Sequence, residues 1–143
     1  MNKLIVMLWI GLVGLVSCNA KPDAEKDHDQ LITSQSIDSK TAKIILEQQE
    51  DIVLIDVRTA EEFALGHLSG AKNIDFNQPD FEERLKALDT DQKYMLYCAV
   101  GGRSGKALKI MENIGFKTVY NVAEGEGFKQ LREQGIPIQQ GDN

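Results

Sequence analysis

The sequence is short of cysteine. Of 143 residues only Cys18 and Cys98 are thiols, far apart and neither in a Cys-x-x-Cys pair, so a dithiol redox motif is absent. It has no basic run either. Sixteen Lys and Arg stand against 22 Asp and Glu, a net charge of −6. Affinity for nucleic acid rests on clustered Lys and Arg, so nucleic acid is not an expected partner. His28 has no companions at metal-ligand spacing, and no metal site is expected there. No internal repeat or low-complexity tract appears. The apolar run Leu4–Val16 is 13 residues long, short of the ~20 that a spanning helix needs. What is present is ordinary: 42% hydrophobic and 27% charged residues, enough for one globular domain and too few residues for two.

The N-terminus reads as an address. Lys3 precedes the apolar run, whose length suits a signal-peptide core, and a small residue, Ser17, then leads into Cys18. The tetrad "LVSC" resembles the bacterial lipobox. That resemblance implies a lipoprotein signal peptide over residues 1–17, removed so that a diacylated Cys18 becomes the N-terminus. Two or more acyl chains hold a protein stably at a membrane. The expected location is the bacterial cell envelope, lipid-anchored, with the domain facing the periplasm or exterior. Residues 18–35 are polar and weakly periodic, a lipidated N-terminus and flexible tether that includes His28. The folded domain is expected over 36–140.

Strand-like and helix-like segments alternate after Ile37. A helix is expected from Ser39, with that serine as its cap. "DIVLIDV" (51–57), "KNIDF" (72–76), "KYMLY" (93–97) and "KTVYNV" (117–122) read as strands. Thr59 with Glu62 three residues on is a capping-box signature, and Gly66 closes that helix. "DFEERLKAL" (80–88) is amphipathic. Ser104–Asn113 reads as a helix stopped by Gly115, and "GFKQLREQG" (127–135) as a last one. Such alternation predicts an α/β fold, a central parallel sheet with helices on both faces.

Cys98 falls at the carboxyl end of a strand, where open parallel sheets bind ligands. The thiolate is the reactive form, and helix N-termini and nearby cations favour it. Gly101 and Gly102 allow a tight turn that aims N–H groups inward, and Arg103 is a permanent cation next to the start of a helix. The pattern describes a thiol inside a pocket built for negative charge.

Three stretches together resemble a single-domain rhodanese: "LIDVRTAEEFALGHLSGAKNI" (54–74), "YCAVGGRSGKA" (97–107) and "GFKTVYNVAEGEGFKQLREQGIPI" (115–138). The resemblance spans residues 34–139. It implies the rhodanese-like fold and a Cys98 nucleophile that takes sulfane sulfur from thiosulfate or a persulfide and passes it to a thiophilic acceptor such as cyanide or a thiol, including a protein thiol. The loop Ala99, Val100, Gly101, Gly102, Arg103 and Ser104 would bind the substrate, with Arg103 drawing the sulfonate of thiosulfate. The resemblance implies no cofactor, and the chain is expected to be a monomer. Asp56, Arg58 and His67 match family positions that brace the fold. The spacing Cys-x4-Arg fits sulfur transfer, because related dual-specificity phosphatases of this fold carry one residue more. The competing functions are a non-catalytic binding or sulfur-carrier module on the same fold, and a phosphatase or arsenate-type reductase. Two departures bear on specificity. Glu126 separates Gly125 from Gly127, and Leu131 falls near a family tryptophan, a change expected to reshape one pocket wall. Ala99 and Val100 make half of the loop apolar, which favours a persulfide donor over thiosulfate.

Overall fold

The structure, a computed structural model, describes residues 33–141. The expected signal peptide, Cys18, His28 and most of the tether lie outside those residues.

The apolar runs form the strands. Strand β1 is Thr33–Ile37, followed by helix α1, Ser39–Gln48, and strand β2, Ile52–Asp56. Next come α2, Ala60–Leu65, the two-residue strands β3, His67–Leu68, and β4, Lys72–Asn73, and then α3, Phe81–Lys86. The second half runs β5, Lys93–Tyr97; α4, Gly102–Ile114; β6, Thr118–Val122; α5, Phe128–Glu133; and β7, Ile138–Gln139. Five strands make one parallel sheet in the order β1-β6-β5-β2-β4, and β3 pairs antiparallel with β7. In the central register Leu54 lies beside Met95, and Met95 beside Tyr120.

Side chains alternate across a strand, and here both sides are covered. Tyr94 and Leu96 of β5, with Ile55 of β2, pack among Phe81 and Leu85 of α3 and Leu108 and Met111 of α4. Met95 and Tyr97 face the other way, with Leu54, toward Ala42 of α1, Phe63 of α2 and Leu131 of α5. This is the expected sheet with helices on both faces, and it explains why β2 and β5 read as near-continuous apolar runs. Each fully buried Leu or Met contributes ~1.5–3 kcal/mol by leaving water. Tyr97 is buried completely, yet its phenol oxygen accepts the Leu68 N–H at 3.0 Å. Burial, followed by the nearby Asp56 charge, pushes that phenol up from its ordinary value.

Four expectations change in detail. Residues 33–35, expected to belong to the tether, are in strand β1, because 33–37 pair with 118–122 as an edge strand. Asp38, not Ser39, caps α1: its carboxylate accepts the Thr41 N–H at 2.7 Å. Ser39 is the first helical residue, and it is buried. Helix α4 starts at Gly102, two residues before Ser104, so Arg103 and Ser104 sit in its first turn. The β3–β7 ribbon has no counterpart in the sequence reading. Among the described residues no helix is long and apolar enough to cross a membrane.

Candidate active site

All five strands of the main sheet run parallel, so their carboxyl ends share one edge. That edge gathers Arg58 after β2, Cys98 after β5 and Ala123 after β6. Strand β5 is the middle strand, and Cys98 is the first residue past its end. The thiol is free and almost completely buried.

The chain then turns back over the sulfur. Gly101 adopts φ 83°, a left-handed conformation that glycine tolerates. Its N–H donates to Cys98 Sγ at 3.1 Å. A Cβ on Gly101 would lie 2.2 Å from the Ala123 carbonyl oxygen, so space as well as conformation demands glycine. Ser104, fully buried, places Oγ 3.7 Å from the sulfur, 3.1 Å from the Gly101 oxygen and 3.5 Å from the Val122 oxygen. Its single proton has three acceptors. An anionic sulfur is the strongest of them, since charge-assisted hydrogen bonds outweigh neutral ones. Burial raises the Cys98 pKa. The Ser104 N–H and hydroxyl, with the Val100 and Arg103 N–H groups, oppose that and leave the thiol below its ordinary value. One backbone N–H, of Gly101, and one hydroxyl, of Ser104, thus lie at hydrogen-bond distance from the sulfur.

The segment after β6 locks the loop from outside. Phe128 N–H donates to the Cys98 carbonyl at 2.9 Å, and Gly125 N–H to the Val100 carbonyl at 3.0 Å. Gly127 passes so close that a Cβ would lie 2.2 Å from the Ala99 oxygen. Glu126, between the two glycines, accepts the Ser39 N–H at 3.3 Å. Leu131 has gone fully into the core against α1 and α2. The altered closing segment thus anchors to α1 and to the core, and its glycines still clasp the loop.

Arg103 Nη1 and Nη2 make a two-pronged pair with Glu62, at 2.7 Å to Oε2 and 2.9 Å to Oε1, and the guanidinium also interacts with the Cys98 sulfur. Glu62 is the capping-box glutamate of α2. Its Oε2 also accepts the Thr59 N–H at 3.1 Å, while Thr59 Oγ1 accepts the Glu62 N–H at 3.2 Å. The Arg103 hydrogen bonds, aided by the Thr59 N–H against partial burial, hold the Glu62 carboxyl down at about 2. Sequence reasoning found the cap and the arginine separately. Nothing local joins residues 41 positions apart. Val100, at the loop's apex, is 63% exposed.

Asp56 and Arg58 stand where bracing requires. Arg58 Nη2 and Nε reach Asp56 Oδ2 at 2.6 and 2.9 Å, and Nη2 donates to the Gly66 carbonyl at 2.7 Å. The guanidinium lies 4.1 Å from the Phe128 ring centroid. His67 is fully buried, stacked 3.6 Å from the Phe63 ring, and its Nδ1 is 2.9 Å from the Phe63 carbonyl. A cleft of about 470 Å³ backs onto Gly101 and Gly102, between α4, Ser36 and Asn121. Cys98 does not line it.

The family model for the rhodanese-like domain matches residues 38–130. The Bacillus subtilis protein YtwF, whose name places it provisionally among sulfurtransferases, is 37% identical over 91 residues, 64% of this chain and 85% of that one. A tRNA uridine(34) hydroxylase from an Enterobacter strain is 35% identical over 96 residues, but the match covers 27% of its length and 62% of this chain. Among solved structures, a rhodanese-related protein from Thermoplasma volcanium superposes with a TM-score of 0.62 at 27% identity, over 73% of this chain and 97% of that one.

Proposed function

Because the chain belongs to the rhodanese-like domain family, we propose that it is a sulfurtransferase that carries sulfane sulfur as a persulfide on Cys98. The observation that supports this most is the Cys98 sulfur itself, held by the Gly101 N–H and the Ser104 hydroxyl within a Cys-x4-Arg loop. In the first half-reaction the thiolate attacks the outer sulfur of the donor. A bond forms from Sγ to that sulfur, the donor's sulfur–sulfur bond breaks, and the electron pair leaves with the remainder. In the second, an acceptor thiolate attacks the outer sulfur of the Cys98 persulfide and returns Sγ to its starting state. Splitting the transfer lets donor and acceptor react in turn at one site. The Gly101 N–H and Ser104 hydroxyl stabilise negative charge on Sγ before attack and after release. In this reading Cys18 carries the lipid that holds the domain at a cell envelope.

The test is intact-mass measurement after exposure to thiosulfate or to a small alkyl persulfide. Wild-type protein should gain one sulfur atom, released by a thiol acceptor, and Cys98→Ser should gain none. Retention of the added sulfur by Cys98→Ser, or no gain in the wild type from either donor, counts against the reading. In bacteria, Cys18→Ala should move the protein from the membrane to the soluble fraction; an unchanged distribution refutes the anchor alone.

A further inference from the structure

We propose that Glu62 is the residue that sets donor specificity, by holding the Arg103 guanidinium in a neutral pair so that Cys98 takes sulfur from an uncharged persulfide in preference to thiosulfate. The inference rests on the sulfurtransferase reading and goes beyond it by naming the substrate class and its determinant.

Arg103 is the only cationic residue in the span 98–104. A thiolate that attacks thiosulfate brings together one and two negative charges, and like charges in a partly dry site repel strongly. An unpaired guanidinium would offset that repulsion. Here each of its terminal nitrogens gives a hydrogen bond to Glu62, whose carboxylate offsets the positive charge that the guanidinium also presents to the Cys98 sulfur. The pair is firmly held: Glu62 is tied on its other side to the Thr59 N–H, and bidentate arginine–carboxylate geometry is among the strongest of charged contacts. Pulling Arg103 away toward a sulfonate would break two such bonds and strand a carboxylate beside the incoming dianion.

What else the loop offers is the Gly101 N–H and Ser104 hydroxyl at the sulfur and apolar surface around it. Val100 at the apex is 63% exposed, and Leu65, three residues along α2 from Glu62 and so on the same helix side, is 79% exposed. Exposed apolar side chains at the loop suit the alkyl part of a persulfide. The balance is then simple: Cys98 thiolate and RS–SH give the Cys98 persulfide and RS⁻, one bond formed and one broken, with total charge −1 throughout.

The experiment compares kcat/KM for thiosulfate with that for the persulfide of 2-mercaptoethanol, whose sulfur-donating RS–SH form is uncharged, in wild type and in Glu62→Gln. Glutamine keeps the shape of the side chain and can still accept the Thr59 N–H, while releasing the guanidinium's charge. Wild type should favour the persulfide, and Glu62→Gln should raise the thiosulfate-to-persulfide ratio about tenfold, the effect of one added charge interaction of ordinary strength. A purely structural role would lower both donors in proportion. That outcome, or an unchanged ratio, overturns the proposal. Wild type that prefers thiosulfate overturns it without any variant. A wild type inert toward both donors removes the sulfurtransferase reading first and this inference with it, whereas transfer from both donors with an unmoved ratio removes this inference alone.

Discussion

Cys98 is buried and acidified at once, two properties that normally oppose each other. Burial disfavours a thiolate, and alone it would make this an inert core cysteine. Four short-range donors reverse the sign: the N–H and hydroxyl of Ser104 and the N–H groups of Val100 and Arg103. Thiolate formation should therefore show a midpoint below the ordinary 9.0. Difference ultraviolet titration of wild type against Cys98→Ser isolates it from Cys18. Ser104→Ala removes one of the donors and should move the midpoint upward. A wild-type midpoint at or above 9.0 would mean that burial wins. The linkage has a definite sign. A depressed acid pKa adds folding stability that is fully present above the unfolded value and lost as pH falls through the folded one. Wild type should gain stability over Cys98→Ser as pH rises toward 9.0.

At the scale of elements, one glutamate joins two helix starts. Glu62 closes the capping box of α2 and grips Arg103 in the first turn of α4. Its carboxyl, held at about 2 against 4.5 unfolded, contributes stability above pH 4.5. That contribution fades as pH falls from 4.5 through about 2. Urea midpoints of wild type and Glu62→Gln should be furthest apart above pH 4.5 and converge toward pH 2. Glu62 is about one-third exposed, so water and salt weaken the pair, and the gap should also shrink in salt. A gap that holds constant across that range contradicts the assignment. What the sequence makes legible follows from this scale. Strand β5, the capping box and the loop's glycines are local patterns, read within about a turn of chain. Strand β1 was hidden because "TSQSI" is an edge strand, polar and bonded on one side only. Asp38 and Ser39 both offer a capping oxygen, and composition alone does not choose between neighbours. The Glu62–Arg103 pair and the approach of Gly127 to Ala99 exist only once distant segments meet.

Across the whole molecule the Cys98 loop is braced by a charge pair that reaches it only through Phe128. Arg58 and Asp56 are 6% and 0% exposed, and between them they fasten four parts of the chain. Asp56 ends β2. Arg58 donates to Gly66 at the end of α2, stacks over Phe128 at the start of α5, and lies 5.8 Å from the Tyr97 ring of β5. Phe128 in turn donates its N–H to the Cys98 carbonyl, so the brace reaches the Cys98 loop through one residue. Arg58→Met would keep most of the volume over Phe128 and leave the Asp56 carboxylate buried without its cation. Stranding one partner of a buried pair costs ~3–5 kcal/mol, a large share of the ~5–15 kcal/mol that holds such a domain together. Urea unfolding should show that loss. Adding Asp56→Asn to Arg58→Met should recover part of it, because the uncompensated charge is then gone. If the single variant costs less than about 1 kcal/mol, the value of an exposed pair, the brace is not where the molecule keeps its stability. If the double variant is no better than the single one, packing of the guanidinium over Phe128, and not charge, is what Arg58 supplies.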